Sequence, residues 1–302
     1  MKAIDLEIFS PVTPIAHPLL TKKQVKLYIK RDDLIHPIIS GNKWRKLKYV
    51  LQKAQAENKN HLITFGGAYS NHLLATAAAG ALFGFETTGF VRGEEVENTH
   101  LFLCRLYGMQ LLFTDRESYR DKQNLFTQYF GDDTDAFFID EGGASAEAAK
   151  GCSELVSELA ETYDHLFCAC GTGTTAAGII NGIIQNNLPT RFHAIPVFKN
   201  GGFIANEIAK YLTPLVPYQL HLDYHFGGYA KTTPALISFI EEFIATTGML
   251  IDPVYTGKML YAIFDLIGKD EFAPDSKILA VHTGGIWGLL GMKEKFSVIS
   301  KQ

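Results

Sequence analysis

Cysteine and tryptophan are scarce in this chain, four and two of its 302 residues. Cys104 and Cys152 stand alone, and Cys168 and Cys170 form a Cys-x-Cys on an apolar run without the second close pair that a zinc site needs. A structural zinc and a disulfide framework drop out, and the four thiols read as small reduced hydrophobes. Neither sign of charge is in surplus. Lys and Arg total 28 against 32 Asp and Glu, so the formal net charge of -4 offers no attraction for the phosphates of a nucleic acid. Long apolar runs are also missing: the most apolar stretch, His72 to Phe85, is shorter than the ~20 residues of a bilayer helix and is broken by Gly80 and Gly84. It reads as a buried core helix, so no membrane span is expected. The opening MKAIDLEIFSP lacks a basic segment followed by an apolar one, which argues against a secretory leader and for a cytoplasmic protein.

What is present is a 47% hydrophobic, 20% charged chain with the composition of one or two globular domains. Short β-branched or aromatic runs alternate with helical patterns, the signature of β-α units that build parallel sheets flanked by helices, so the fold class is α/β. His61 to Phe65, Phe85 to Val91, Met109 to Thr114 and Ala136 to Ile139 read as one strand series, with helices at Asn71 to Phe83, Asn98 to Tyr107 and Ser118 to Phe130. Gly84 and Gly108 fall where helix C-caps belong. A second series runs through His165 to Cys170, Arg191 to Phe198, Tyr218 to Tyr224 and Lys277 to Val281. The two series meet near Lys150. Ahead of both lie a strand, Val25 to Lys30, and a helix, Trp44 to Ala56, whose Trp44, Leu47, Leu51 and Ala54 recur at helical spacing; this segment can pack with either half.

Three turns carry candidate chemistry. Lys43 follows Gly41 at a helix entrance, where the positive dipole end and partial burial lower an amine's pKa and favour the neutral form that attacks carbonyls; alternatively it is a solvated lysine like Lys46 and Lys48. Gly66-Gly67-Ala68-Tyr69-Ser70-Asn71-His72 places a hydroxyl and an amide at a helix start, fit for a carboxylate or simply for capping, while His72 reads as a packed helix residue. Gly171-Thr172-Gly173-Thr174-Thr175 follows a strand and opens an apolar helix, which makes a phosphate cradle. It is not a Walker A loop. Nor does the next strand end on the acidic residue of a dinucleotide site, since Val197-Phe198-Lys199-Asn200 stands there, and this disfavours a nicotinamide-dependent dehydrogenase. Asp252 to Lys258 and His282 to Gly285 are further polar, glycine-containing clusters, which ordinary turn chemistry and a core Tyr255 also explain.

Together with Lys30-Arg31-Asp32-Asp33-Leu34 and Gly41 to Leu47, these segments resemble, nearly end to end, the pyridoxal-phosphate enzymes that comprise 1-aminocyclopropane-1-carboxylate (ACC) deaminase and D-cysteine desulfhydrase. The resemblance implies a two-domain fold like the tryptophan synthase β subunit (fold type II), with residues 1–50 and 151–302 forming the large cofactor-binding domain and 51–150 the small one. It implies pyridoxal 5'-phosphate as cofactor, Lys43 as the Schiff-base lysine, Asn71 on the cofactor's phenolic oxygen, and Thr172, Gly173, Thr174 and Thr175 around its phosphate. Ser70 would grip the substrate carboxylate, and Tyr229 and Tyr255 would be the active-site tyrosines. Where the deaminase branch has a glutamate and a leucine, this chain has Thr256 and Thr283, as in the desulfhydrase branch. A hydroxyl at the pyridine nitrogen suits a substrate with a good leaving group. Tyr69, where glutamine is common, enlarges the side chain beside Ser70. The expected activity is α,β-elimination on a small amino acid, most simply D-cysteine to pyruvate, ammonia and sulfide, by a homodimer. The alternatives are ACC deamination and a pyridoxal-phosphate binder without turnover; the latter needs neither Ser70 nor Tyr255.

Overall fold

The computed structural model describes residues 2–296. In chain order its strands are β1 (Val12–Ile15), β2 (Lys26–Lys30), β3 (His61–Gly67), β4 (Glu86–Arg92), β5 (Gln110–Thr114), β6 (Ala136–Ile139), β7 (His165–Cys170), β8 (Arg191–Pro196), β9 (Gln219–Leu220) and β10 (Lys277–Val281). Its helices are α1 (Pro18–Lys23), α2 (Asn42–Ala56), α3 (Asn71–Phe83), α4 (Thr99–Leu106), α5 (Lys122–Phe130), α6 (Ala146–Ser157), α7 (Thr174–Gln185), α8 (Ile204–Ala209), α9 (Pro234–Thr247) and α10 (Thr256–Gly268), with short 3-10 turns between them.

The strands form two sheets, ordered β1-β2-β10-β7-β8-β9 and β5-β4-β3-β6, and every pairing is parallel except β1 with β2. A parallel sheet needs cover on both faces, so its central strands are buried along most of their length and alternate residues feed opposite cores. In β7, Phe167 and Ala169 face α9 and α10, while Leu166, Cys168 and Cys170 face α7 and α8. The four-stranded sheet does the same. Leu62 packs with α2 and α3, whereas Ile63, Phe65 and Phe90 meet Leu125 of α5, with Phe65 and Phe90 stacked at 5.0 Å.

The amino-terminal segment divides its contacts. β2 enters the six-stranded sheet beside β10, while α2 sends Trp44, Leu47 and Leu51 into the core shared with Leu62, Ala75 and Phe83. Three elements depart from expectation by more than two residues at an end. β1 escapes notice as a four-residue edge strand carrying Pro14, a position where only an edge tolerates proline. The run from Tyr218 to Tyr224 yields a strand of two residues, because the chain leaves the sheet after Leu220. The helix expected from Ser118 splits into a 3-10 turn, Ser118–Arg120, and α5, which Asp121 caps through Asn124 N.

Two polar networks lie inside this frame. The Arg45 guanidinium, 1% exposed, donates to both carboxylate oxygens of Asp32 (2.6 and 2.8 Å) and to both of Glu158 (2.8 Å each), and Lys30 joins Glu158 at 2.7 Å. Farther along the six-stranded sheet, His165, His193 and His221 form a row with ring nitrogens 2.9 Å apart at each contact, stacked along Phe167. Removing one partner of a buried ion pair strands the other charge, which typically costs about 3–5 kcal/mol, whereas an exposed pair is worth under about 1 kcal/mol. Asp32→Ala should therefore lower the urea unfolding midpoint by an amount corresponding to several kcal/mol, and Glu207→Ala, which removes the exposed pair with Lys210, should barely move it. Equal shifts would contradict this account of the Arg45 network.

Candidate functional site

Three strands of the six-stranded sheet and β3 of the four-stranded one each end in a polar turn, as open α/β sheets do, and these turns touch: Asn42 reaches Thr175 and the Thr283 carbonyl, and Asn71 reaches Gly285. β2 leads through the Arg31 to Gly41 loop into α2, β3 ends at the Ser70 turn, β7 at the Gly171 loop, and β10 at His282-Thr283-Gly284. Gly41 makes the first junction possible. It adopts φ +61°, and a Cβ there would lie 1.9 Å from the Thr283 carbonyl oxygen, so α2 can start against the β10 loop only through glycine. Asn42 N then donates to that same carbonyl at 3.2 Å.

Lys43 is the second residue of α2, half-buried, and its amine has no hydrogen-bond or ion-pair partner among the described residues. Burial, and then the neighbouring Lys46 ammonium, push it down from the ordinary lysine range to about 7. Lys46, one turn on, is buried and donates to Gly142 O at 2.8 Å and to Thr172 Oγ1 at 3.1 Å. Asn42 Nδ2 donates to Thr175 Oγ1 at 2.9 Å. Helix α2 thus places an unpaired amine beside the Gly171 loop. The sequence left Asn42 without a role and set Lys46 beside Lys48 as a surface lysine; only their spacing of one helical turn from the loop-facing side hinted otherwise.

Gly173, at φ +76°, precedes α7 as its N-cap, and no side chain caps the helix, so its first amides are free to meet an anion. Thr172 Oγ1 and Thr174 Oγ1 lie 3.3 Å apart, and Thr174 and Thr175 are buried. Ser70 caps α3 by accepting from His72 N and Leu73 N (3.2 and 3.3 Å). Capping uses the oxygen's lone pairs and leaves its proton to donate, so the capping and gripping roles are compatible. Asn71 Nδ2 reaches Gly285 O at 3.4 Å, while its Oδ1 is buried with no partner. His72 is a packed residue, as its helix position suggests: Thr64 donates to Ile139 O and accepts from His72 Nε2, and burial, with Lys43 and Lys46 nearby, holds the ring neutral.

Tyr255 stands over the loop, its ring so close to Gly171 that a Cβ there would sit 3.2 Å from it. Burial pushes its phenol well above the usual range, and its hydroxyl meets that of Tyr229 at 3.5 Å, the outer limit of a hydrogen bond. The two threonines differ. Thr256 Oγ1 donates to Asp252 Oδ1 at 2.7 Å and accepts from Asp252 N at 2.9 Å, so its proton is engaged, whereas the Thr283 hydroxyl has no partner among the described residues. The Tyr69 ring lies edge-on to His100 at 5.9 Å and against Gly291, where a Cβ would come within 2.8 Å, so its bulk is accommodated by the Ile286–Lys295 turn.

Free helix amides, hydroxyls and a buried lysine for a phosphate, an orphaned amide beside them, and an unpaired amine of lowered pKa together fit a phosphorylated aldehyde. A family model described as pyridoxal-phosphate dependent enzyme matches residues 9–284. This chain belongs to that family. It is 29% identical to a Thermotoga maritima protein provisionally named as an ACC deaminase, over 97% of this chain and 99% of the relative. It is also 29% identical to a D-cysteine desulfhydrase of Salmonella newport, over 93% of each. The crystal structure of a homologue of ACC deaminase superposes with a TM-score of 0.85 at 28% identity, covering 98% of this chain and 95% of that one. The family's fold, tryptophan synthase β-like α/β with parallel sheets under helices, and its cofactor, pyridoxal 5'-phosphate, are those of this chain. Among the described residues no helix is long and apolar enough to cross a membrane, and no cluster of His, Cys, Asp and Glu is set to hold a metal ion.

An amine of pKa about 7 is half neutral at that pH, so coupling of added pyridoxal phosphate to the apoprotein should speed up with rising pH and level off above about 7. Lys46→Met removes the neighbouring positive charge and should move that midpoint upward at saturating cofactor. Borohydride fixation followed by peptide mapping should find the label on Lys43; a label on Lys46 or Lys258 would refute the assignment.

Proposed function

We propose that this enzyme eliminates across the α,β bond of a small amino acid, most simply converting D-cysteine and water to pyruvate, ammonia and hydrogen sulfide. The observation that carries this reading is that neither position offers a carboxylate to the cofactor's ring nitrogen: Thr256, where the deaminase branch has its glutamate, is engaged by Asp252, and Thr283, where that branch has a leucine, carries an uncommitted hydroxyl. When bound, the cofactor's ring supplies the electron sink for carbanion chemistry, and a hydroxyl partner leaves that sink weaker than a carboxylate does. A weak sink favours a substrate that brings its own good leaving group. Thiolate is one; a cyclopropane carbon is not.

The remaining roles follow from protonation. The Lys43 amine, with its pKa near neutrality, is suited to take the α-proton. Thr172, Gly173, Thr174, Thr175 and Lys46 hold the phosphate, and Asn71 the phenolic oxygen. Ser70, with its proton free, binds the substrate carboxylate. Tyr255, kept in the phenol form by burial, stands as the proton donor to the departing sulfur, with Tyr229 beside it. We also place the enzyme in the cytoplasm as a homodimer, with residues 1–50 and 151–302 as its large domain and 51–150 as its small one. The second reading is ACC deamination, supported by the name of the Thermotoga relative.

Assaying D-cysteine, β-chloro-D-alanine and ACC in parallel separates the readings. Pyruvate from the first two and little α-ketobutyrate from the third is expected, and efficient ACC turnover would refute the elimination reading. Ser70→Ala should keep the cofactor bound while raising KM for the productive substrate by about 10-fold or more, the worth of a hydrogen bond to a charged group. An unchanged KM would move the carboxylate elsewhere.

A further inference from the structure

Lys258 is the third residue of α10 and is 0% exposed, yet it makes no ion pair among the described residues. Its amine donates instead to three backbone carbonyls, those of His225 and Gly228 at 2.8 Å and that of Val197 at 3.4 Å. A buried ammonium without a carboxylate is a costly placement that folding alone rarely retains. Burial pushes its pKa down only to about 8, against the support of Asp252, so it still carries its charge at neutral pH.

The carbonyls it gathers are not arbitrary. His225 O also accepts from Gly228 N at 3.0 Å, and Gly228 O from Lys231 N at 3.1 Å, so two consecutive turns share one ammonium as common donor. Between them the backbone is left-handed at Phe226, Gly227, Gly228 and Ala230, two of which carry side chains that resist it. Such a loop keeps its shape only if something over-determines it. Within it sits Tyr229, with its ring stacked on Phe198 at 5.4 Å and its hydroxyl at that of Tyr255, the residue just before α10.

We propose that Lys258 is a positioning residue that ties the Tyr229 loop to the start of α10 and so sets the spacing of the Tyr229–Tyr255 hydroxyl pair. The inference rests on reading those tyrosines as active-site residues, and it adds a third group that never touches the substrate. A small displacement of a reacting group can cost about 10²-fold in rate, which sets the scale of the expected loss.

The test uses the holoenzyme and whichever of the three compounds it turns over. In Lys258→Met the amides of Gly228 and Lys231 should exchange hydrogen at least 10-fold faster than in the parent, with cofactor content unchanged and kcat reduced by up to about 10²-fold. Adding Tyr229→Phe should cost nothing further, because both changes act on one hydroxyl. Ammonium ions should restore part of the rate to Lys258→Ala, since a small cation can fill the carbonyl cage but cannot repair lost packing. Unchanged exchange at the two amides, additive rate losses, or no rescue would overturn the proposal. Accelerated exchange combined with a Tyr229→Phe change that costs no rate in the parent enzyme would overturn the tyrosine reading and leave the loop clamp standing. If Lys258→Met does not fold, Lys258→Arg, which keeps the charge and changes the donor geometry, carries the same exchange and rate measurements.

Discussion

The Arg45 guanidinium, closed in by Asp32 and Glu158, is the contact on which the site's geometry depends. Asp32 follows β2, Glu158 follows α6, and Arg45 lies in the first turns of α2, so one side chain pins the helix to both of its neighbours. Flanking it on the same two turns are Asn42, Lys43 and Lys46, which meet the Gly171 loop or stand beside it. A buried ion network of this kind earns little net stability over apolar packing, but it fixes register. Rotating α2 by one residue would break four charge-assisted bonds and at once remove the amine from the loop.

Desolvation then sets the chemistry of the groups so placed. Burial favours neutral forms, so it lowers Lys43 and raises Tyr255, leaving the amine partly neutral near pH 7 and the phenol holding its proton there. The same force acts on the thiols. Cys104 and Cys170 are pushed up to about 12, so they stay protonated and poor nucleophiles near neutral pH.

The parallel strands β3, β4, β7, β8 and β10 were legible because strands buried on both faces are rich in apolar and β-branched residues, and their ends locate the candidate turns. Lys43 and the Gly171 loop were legible because glycine and helix-start signals are local. What escaped was set by partners far along the chain. Nothing near Lys46 announces Thr172, nothing near Lys258 announces Gly228, and the commitment of Thr256 to Asp252 depends on a turn geometry that its sequence shares with many ordinary helix caps. Non-glycine residues at positive φ, such as Phe226 and Ala230, likewise give no sign of themselves, and the strand read from Tyr218 to Tyr224 ran on into that loop.

The histidine row in the six-stranded sheet has a consequence that follows from counting protons. Three imidazoles present six ring nitrogens, and each of the two nitrogen-to-nitrogen contacts holds one proton between two of them. With both contacts intact the row can hold four protons at most, one more than three neutral rings carry, so the folded protein admits a single positive charge there. The unfolded chain can take three charges below the ordinary histidine pKa of about 6.5. Burial accordingly lowers all three rings, with His193 brought to about 3. The row is thus a saturable proton store whose capacity is fixed by hydrogen-bond topology: its contribution to stability is complete above about pH 6.5 and drains away as the medium acidifies, because the unfolded chain has two more vacancies to fill.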